Sequence, residues 1–269
     1  MNQPGTTPTN NPLVIAHRGA SIVAPENTLA AFALAMESGA DGIELDVRLS
    51  RDGVPVVIHD ATLRRTALRE EAVARVSAKQ LGKVDAGSWF NRAHPRRARA
   101  EFARESVPTL DQVFELLRDR DAWLYVEMKA GADEGFTDLT QAMAQLIKEH
   151  KLHSRTVVVS FDLAAIAQTK QIDPVIRTGA LFEPKSDLAT VVRKQRMIDA
   201  AIDHGANEIL LHRSIATRGA VRQALEAGLP VVVWTVDDPK WIGWARNLGI
   251  YALITNDPAQ MISCQNSER

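Results

Sequence analysis

The chain has 269 residues, of which 45% are hydrophobic and 24% are charged. This globular composition excludes wholesale disorder, collagen and a coiled coil, and the length suits one large α/β barrel as well as two smaller domains. Lys and Arg number 32 against 33 Asp and Glu, so the net charge of -1 does not indicate nucleic acid as a partner. The single cysteine, Cys264, excludes an intramolecular disulfide and a cysteine-ligated zinc site.

The N-terminal residues 1–13 are polar and lack the basic start and the apolar stretch of a signal peptide. No run in the sequence approaches the roughly eighteen apolar residues of a membrane-spanning helix. We therefore expect a soluble, cytoplasmic protein without stable membrane insertion. Residues 1–11 are expected to form a disordered tail, and residues 12–269 a single domain.

Short apolar, β-branched segments recur along the chain and predict eight strands. They are Leu13–Ala16, Gly42–Asp46, Ala122–Glu127, Thr156–Ser160, Val175–Leu181, Glu208–Leu211, Pro230–Thr235 and Tyr251–Ile254. Segments with helical spacing alternate with them, namely Thr28–Ser38, Leu110–Leu117, Phe136–Ile147, Leu163–Ile172, Leu188–Ile202, Val221–Ala227 and Pro239–Leu248. This alternation favours a single (β/α)8 TIM barrel, with its reactive groups at the carboxyl ends of the strands. A doubly wound open sheet is the alternative.

A ninth strand-like run, Val54–His59, follows the second strand after only a few residues. The Asp52-Gly53 pair between the two predicts an antiparallel β-hairpin after strand 2. If these two residues form the whole turn, the Asp46 side chain lies opposite His59 and shares a face with it.

The segment 61–108 interrupts the alternation and predicts a small insertion over the site. It contains an Arg-rich run and the aromatic pair Trp89-Phe90. The pair has two interpretations, a lid over the site or simple packing on the barrel.

Ionisable side chains gather at the ends of three neighbouring barrel strands. They are His17 and Arg18, then Glu44 and Asp46 with His59 from the hairpin, then Glu127 and Lys129. Three carboxylates without cysteine indicate a hard divalent cation, Mg²⁺ or Ca²⁺. Arg and Lys beside it suit an anionic tetrahedral group, and two histidines allow one to take a proton while the other delivers one. Each residue alone also has a structural interpretation, but together they indicate cleavage of a phosphate ester.

Several short motifs run along nearly the whole chain after the tail. They include His17-Arg18-Gly19, Pro25-Glu26-Asn27-Thr28, Glu44-Leu45-Asp46-Val47, Ile58-His59-Asp60, Thr62-Leu63-x-Arg65-Thr66, Trp89-Phe90, Glu127-Met128-Lys129, Trp234-Thr235-Val236 and Ile254-Thr255-Asn256. With these motifs the sequence resembles the glycerophosphodiester phosphodiesterase family, a (β/α)8 barrel related to the phosphoinositide-type phospholipases. The resemblance implies metal-dependent hydrolysis of small-molecule glycerophosphodiesters to sn-glycerol 3-phosphate and an alcohol.

The resemblance also implies roles for individual residues. The metal ligands would be Glu44, Asp46 and Glu127, the phosphate-binding residues Arg18 and Lys129, and the acid/base pair His17 and His59. In a mechanism similar to that of relatives, His17 activates a glycerol hydroxyl or water, and His59 protonates the departing alcohol. Trp234 is either an apolar wall for the glycerol or part of the core.

Two acidic residues have open roles. Glu26 is either a further ligand or, as we favour, a residue that orients His17 or Arg18. Asp237 stands where relatives often have Asn, and it is either a contact for a cationic head group or a solvated loop charge.

Three alternatives to this function are considered. A lysophospholipase D or sphingomyelinase D type enzyme would act on lipids, but the sequence shows no polybasic anchor or exposed apolar helix. A non-catalytic binding protein of the same fold is expected to lack a His or a carboxylate of the set, and this chain has all of them. A metal-dependent aldolase or lyase would not need paired histidines. The choice between Mg²⁺ and Ca²⁺, the head group and the oligomeric state stay open.

Overall fold

A closed barrel of eight parallel strands forms the centre of the computed structural model, which describes residues 11–129, 136–184 and 190–267. The strands are β1 (Leu13–His17), β2 (Gly42–Leu49), β3 (Pro55–Val57), β4 (Trp123–Met128), β5 (Thr156–Ser160), β6 (Arg177–Phe182), β7 (Glu208–His212), β8 (Val231–Trp234) and β9 (Ala252–Thr255). All are parallel except β3, which pairs antiparallel with β2. Pairing of β1 with both β2 and β9 closes the cylinder, which confirms the predicted barrel and excludes an open sheet.

Helices connect the strands and cover the outside of the barrel. They are α1 (Leu29–Glu37), α2 (Arg64–Ala67), α3 (Ala78–Leu81), α4 (Ser88–Ala93), α5 (Leu110–Leu116), α6 (Phe136–Glu149), α7 (Leu163–Ile172), α8 (Thr190–Asp203), α9 (Arg218–Glu226), α10 (Lys240–Leu248) and α11 (Pro258–Ser267). The side chains of Thr28 and Thr109 cap α1 and α5, as Thr residues do at helix starts. None of the described helices is long and apolar enough to cross a membrane.

Two sequence predictions fall partly or wholly outside the described residues. They are the N-terminal tail, of which residue 11 alone is described, and the first residues of the helix predicted from residue 188. The C-terminal helix α11 was not predicted, because it buries Pro258, Met261 and Gln265 rather than a continuous apolar stripe.

Apolar side chains fill the barrel, which explains the near-continuous apolar strands. Those on the inner face are Ile15, Tyr125, Val157, Val159, Leu181, Leu210, Val232, Ala252 and Ile254. Alternate residues of the same strands, such as Val14 and Val158, pack in the clusters that contain the helices. Residues that continue the inward-facing series at the carboxyl ends of β2 and β4 therefore reach the mouth of the barrel.

The hairpin between β2 and β3 has a three-residue loop instead of the predicted two-residue turn. The Gly53 N–H donates to the Ser50 carbonyl oxygen, and the Ser50 N–H donates to the Val54 carbonyl oxygen, both at 3.0 Å. Gly53 has a φ of 74°, which favours glycine. The Ser50 hydroxyl also accepts the Val54 N–H at 3.0 Å. A type I turn followed by a left-handed residue therefore closes the loop.

This loop shifts the pairing, so the predicted register is wrong by one residue. Val47 lies opposite Val57, and the Ile58 N–H donates to the Asp46 carbonyl oxygen at 2.9 Å. Asp46 therefore lies opposite Ile58 and not opposite His59. Because β3 ends at Val57, His59 reaches the mouth of the barrel from a loop rather than from a strand.

The insertion at residues 61–108 folds into short helices, and its aromatic pair packs on the protein. Phe90 is 1% exposed and meets Phe102 edge to face, with ring centroids 5.7 Å apart. The Trp89 indole N–H donates to the Ala86 carbonyl oxygen at 2.8 Å. Neither ring is among the described residues that line the cavity at the mouth. The structure therefore supports packing rather than a lid for this pair.

A buried carboxyl group, Glu208, lies at the amino end of β7. Its side chain is 1% exposed and accepts the Tyr125 hydroxyl at 3.0 Å, while Arg177 Nη2 lies 4.0 Å away. Burial raises the pKa of Glu208 from 4.5 to about 7, against the opposing effects of Arg177 and Tyr125. The folded chain therefore retains this proton at pH values where the unfolded chain has released it.

Stability is expected to fall as the pH rises from about 4.5 to about 7, because the unfolded chain then releases this proton while the folded chain still holds it. Glu208→Gln removes the titration, so the variant should match the wild type near about pH 5 and exceed it by about 3 kcal/mol near about pH 8. Urea unfolding at both pH values measures the difference, with the exposed Glu226→Gln as control. The same pH dependence in Glu208→Gln and wild type would contradict this account.

Candidate active site

Three carboxylates meet at the mouth of the barrel. Glu44 and Asp46 lie on β2, Glu127 lies on β4, and strand pairing places Asp46 beside Glu127. All three are buried, and one oxygen from each lies within 4.8 Å of the other two. An all-oxygen cluster of this size suits a hard cation such as Mg²⁺ or Ca²⁺. The structure thus brings the three predicted ligands together.

The surroundings shift the pKa values of the three carboxylates in different directions. Burial and the charge of Asp46 raise the pKa of Glu127 to about 7, although Lys129 opposes the shift. Burial and the other two carboxylates raise the pKa of Glu44 well above its ordinary value. Burial acts on Asp46 too, but Arg18 and Lys129 outweigh it and hold the pKa of Asp46 below its ordinary value. A divalent cation would stabilise all three charges, so the donor set fits a metal ion.

Two cationic side chains border the carboxylates. Arg18 Nε lies 3.1 Å from Asp46 Oδ2, and Arg18 Nη1 donates to Glu26 Oε1 at 2.8 Å. Lys129 Nζ lies 2.7 Å from Glu127 Oε1 and 3.4 Å from Asp46 Oδ1. Glu26 therefore orients Arg18, which is one of the roles favoured for it, and it is not part of the acidic cluster.

The loop that presents Arg18 is held in an uncommon backbone conformation. Arg18 and Asn27 both have a φ of 57°, and the Asn27 N–H donates to the Arg18 carbonyl oxygen at 3.0 Å. The Asn27 side chain donates to Asp46 Oδ2 at 2.8 Å and accepts the Asp46 N–H at 3.3 Å. A Cβ at Gly19, whose φ is 81°, would lie 2.6 Å from the Ala31 backbone. The close approach of this loop to α1 therefore requires glycine.

His17 ends β1 and is held by the loop after β9. Its Nδ1 lies 2.7 Å from Asn256 Oδ1, and its Nε2 lies 3.9 Å from Glu44 Oε2. The Asn256 N–H and Nδ2 both donate to the Asp237 carboxylate, at 2.8 and 2.9 Å. Because Nδ2 of Asn256 is engaged, its Oδ1 faces His17, and Nδ1 of the ring is the donor. Burial and the charge of Arg18 lower the pKa of His17 to about 4, so the ring is neutral near pH 7.

His59 also faces the mouth, from the loop after β3. Its Nδ1 lies 2.6 Å from Asp60 Oδ1, and its side chain is 32% exposed. Burial lowers the pKa of His59, Arg18 lowers it further, and Asp46 opposes both. The two predicted histidines thus line one cavity with Glu44 and Glu127, although His59 lies in the loop after β3 and not opposite Asp46 as the predicted register implied.

A cavity of about 280 Å³ opens between these groups. Its lining residues are His17, Arg18, Glu44, His59, Glu127, Lys129, Val159, Phe161, Leu181, Glu183, Leu210, Trp234 and Ile254. Trp234 meets Phe161 edge to face at 5.4 Å, and its indole N–H is buried without a hydrogen-bond partner among the described residues. Trp234 is therefore part of the cavity wall. The cavity has a charged side suited to an anion and an apolar side suited to a carbon chain.

Some neighbours of the site were not predicted. Asn27 binds Asp46, Asp60 binds His59, and Asn256 binds His17. Asp60 directly follows His59, so its position was a usable signal. Nothing in the spacing of the sequence links Asn256 to a histidine 239 residues away.

A (β/α)8 barrel with three carboxylates, two histidines and two cations around one cavity has the architecture of a phosphodiester hydrolase. The model of the glycerophosphoryl diester phosphodiesterase family matches residues 17–260, and the chain belongs to this family. This confirms the resemblance seen in the motifs and the assignment as an enzyme.

Similar proteins cover nearly the full length of the chain. A glycerophosphodiester phosphodiesterase of Caldanaerobacter subterraneus subsp. tengcongensis is 34% identical over 251 residues, which are 93% of this chain and 96% of that protein. The solved structure of an Oleispira antarctica phosphodiesterase in complex with the product sn-glycerol-3-phosphate has a TM-score of 0.82 at 28% identity, with 95% of this chain and 97% of that chain covered. A glycerophosphodiester phosphodiesterase from Agrobacterium tumefaciens has a TM-score of 0.74 at 28% identity, with 94% and 99% covered.

Asp237 has a structural role that neither interpretation of the sequence anticipated. It is not among the described residues that line the cavity, and besides Asn256 it accepts the Thr255 hydroxyl at 3.0 Å. It therefore holds the end of β9, and through Asn256 it holds the His17 ring.

Asp237→Ala is expected to lower kcat about tenfold, since the loss of a residue that orients a site histidine commonly costs tenfold to about a hundredfold. Asp237→Asn keeps one acceptor oxygen, which serves Asn256 Nδ2 but not also the Asn256 N–H and the Thr255 hydroxyl, so it should retain an intermediate activity. The control is Asp238→Ala, because that exposed carboxylate accepts the Lys240 N–H at the start of α10. An unchanged kcat in Asp237→Ala would show that the His17 ring does not depend on this chain of hydrogen bonds.

Proposed function

We propose that this chain hydrolyses glycerophosphodiesters to sn-glycerol 3-phosphate and an alcohol, with a divalent cation and two histidines that transfer protons. The observation that carries the proposal is the cluster of Glu44, Asp46 and Glu127, of which Glu44 and Glu127 line one cavity with His17 and His59. The complex of the Oleispira antarctica relative with sn-glycerol-3-phosphate supports the product.

The cation, Mg²⁺ or Ca²⁺, would be held by Glu44, Asp46 and Glu127. When bound, it supplies positive charge that stabilises the charge developing on the phosphate. Burial of the three carboxylates and the raised pKa values of Glu44 and Glu127 support this use, because the cluster lacks sufficient positive charge of its own.

The phosphate would be oriented by Arg18 and Lys129, which both line the cavity beside the carboxylates. Glu26 and Asp46 fix the guanidinium of Arg18, so its remaining donors are already oriented for the phosphate. The glycerol carbon atoms would lie against Trp234 and Phe161 on the apolar side.

The two histidines differ in a way that suits opposite tasks. His17 donates its Nδ1 proton to Asn256, so the neutral ring has a free lone pair at Nε2 to accept a proton from a glycerol hydroxyl or water. The Asp60 carboxylate accepts from Nδ1 of His59 and favours the protonated ring, against the lowering of its pKa by burial and Arg18, so Nε2 of His59 would deliver a proton to the departing alcohol.

Release of the alcohol head group from a panel of diesters tests the proposal, and sn-glycerol 3-phosphate is assayed as the second product of the water-soluble diesters. Glycerophosphocholine, glycerophosphoethanolamine and glycerophosphoglycerol are compared with lysophosphatidylcholine and sphingomyelin, and an Asp46→Asn preparation controls for contaminating enzymes. We expect sn-glycerol 3-phosphate from the water-soluble diesters. Hydrolysis of lysolipid or sphingomyelin alone would instead support a phospholipase D type enzyme, and no hydrolysis would support a binding protein.

A cytoplasmic location and a single domain over residues 12–269 remain predictions from the sequence.

A further inference from the structure

One arginine of the insertion links two parts of the site. Arg65 lies in α2, and three of its nitrogen atoms donate hydrogen bonds to carboxylates. Nε donates to Asp60 Oδ2 at 2.7 Å, and Nη1 and Nη2 donate to Glu26 Oε2 and Oε1 at 2.7 and 2.8 Å. The guanidinium thus binds Glu26 with two donors and Asp60 with the third.

Each of these carboxylates continues to a side chain of the cavity. The other oxygen of Asp60 lies 2.6 Å from His59 Nδ1, and Glu26 Oε1 also accepts Arg18 Nη1 at 2.8 Å. A continuous series of hydrogen bonds therefore runs from His59 through Asp60, Arg65 and Glu26 to Arg18. Arg65 is the member that joins the β3 loop to the loop after β1.

The chemistry of this series requires a guanidinium. A planar group with several fixed donors can hold two carboxylates at once, whereas an ammonium offers a point charge on a flexible stem. The hydrogen bonds to Glu26 and Asp60 raise the pKa of Arg65, so it is charged throughout the working range. Without it, Asp60 and Glu26 would each lose a partner that fixes their direction, and the His59 ring and the Arg18 guanidinium that they hold would gain freedom.

We propose that Arg65 is a positioning residue, which sets His59 and Arg18 relative to each other through Asp60 and Glu26. The inference rests on the proposed function for the tasks of these two residues, proton delivery and phosphate binding. It assigns a role to the Thr62-Leu63-x-Arg65-Thr66 motif that the metal site and the two histidines leave unexplained.

The neighbouring residue provides a matched control. Arg64 lies on the same helix and pairs with Glu70 at 2.6 Å, but both side chains are more than 70% exposed, at 73% and 77%. Removing its charge changes the local charge by the same amount and leaves the hydrogen-bond series intact. We therefore compare Arg65→Met and Arg65→Lys with Arg64→Met in the full chain.

The experiment measures kcat and KM on glycerophosphocholine and on a nitrophenyl glycerophosphodiester, whose leaving group needs no proton. Arg65→Met is expected to lower kcat on glycerophosphocholine by about tenfold to a hundredfold and on the nitrophenyl ester much less, and to raise KM for both. Arg65→Lys should restore little, and Arg64→Met should match the wild type. Equal losses of kcat on both substrates, or no loss, would overturn the inference.

A second measurement separates this inference from the proposed function. The nitrogen chemical shifts of the His59 ring report its hydrogen bonding without any turnover. They are expected to change in Arg65→Met and not in Arg64→Met, whereas unchanged shifts would overturn the positioning role. If His59→Ala itself loses activity equally on both esters, the proton-delivery assignment fails, and the chemical shifts still decide whether Arg65 positions the ring.

Discussion

Asp46→Asn is expected to lower kcat for release of sn-glycerol 3-phosphate about a thousandfold without loss of the fold. Asp46 is fully buried and accepts Asn27 Nδ2 at 2.8 Å, while Arg18 and Lys129 lie within 3.1 and 3.4 Å of its two oxygens. Its pKa is held below the ordinary value, so it is charged throughout the assay range. Asn keeps the shape but removes the charge that a cation requires, and a loss of about 4 kcal/mol of charge stabilisation gives this factor.

A matched control for this variant lies at the opposite end of the same strand. Asp41 precedes β2, and its carboxylate accepts the Val14 N–H at 2.8 Å. Asp41→Asn should keep kcat within about twofold, because the residue precedes the amino end of β2 and is not part of the cluster of Glu44, Asp46 and Glu127. Steady-state kinetics and thermal unfolding of both variants are the measurements. If Asp46→Asn retained more than about a tenth of the activity, the Asp46 carboxylate would not be a required metal ligand.

His59→Ala is expected to lower kcat on glycerophosphocholine at least about a hundredfold, within the usual range for a general acid. On a nitrophenyl glycerophosphodiester the loss should be small, because a nitrophenolate departs without a proton. The role of His59 as the proton donor is supported by Asp60, whose Oδ1 lies 2.6 Å from His59 Nδ1 and favours the protonated ring. The comparison of kcat on the two esters measures the effect.

The control for this comparison is a histidine outside the mouth. His150 pairs with Asp111 at 2.7 Å and does not line the cavity, so His150→Ala should leave the ratio of the two kcat values unchanged. Equal losses on both esters in His59→Ala would exclude proton delivery by His59. If instead His17→Ala lost activity on glycerophosphocholine alone, His17 would deliver the proton and His59 would accept it.

Local sequence signals were sufficient for most of the fold. Apolar, β-branched segments bounded by turn residues identify all eight barrel strands, and Thr109 with Gln112 forms the capping box at the start of α5. The hairpin was predictable but its register was not. That register depends on whether Ser50 closes a three-residue loop, and a dipeptide signal at Asp52-Gly53 does not resolve this choice.

The sequence predicted those residues of the candidate site that lie at the ends of barrel strands. Glu44, Asp46 and Glu127 project inward at the carboxyl ends of adjacent parallel strands, so the barrel brings them together. The contacts that orient the site come from loops that meet across the mouth. Those contacts, from Asn256 to His17 and from Arg65 to Glu26, depend on how the barrel closes, and residue spacing carries no information about that closure.

The central claim is that one divalent cation, held by the three carboxylates, is required for hydrolysis. The most direct measurement is a titration of chelator-treated enzyme with Mg²⁺ and with Ca²⁺, in which bound ion per chain and release of sn-glycerol 3-phosphate are followed together. Activity is expected to be absent before addition, to rise in proportion to one bound ion per chain, and to require much more cation in Asp46→Asn and Glu127→Gln. Full activity of the stripped enzyme, or unchanged cation binding in both variants, would contradict this claim.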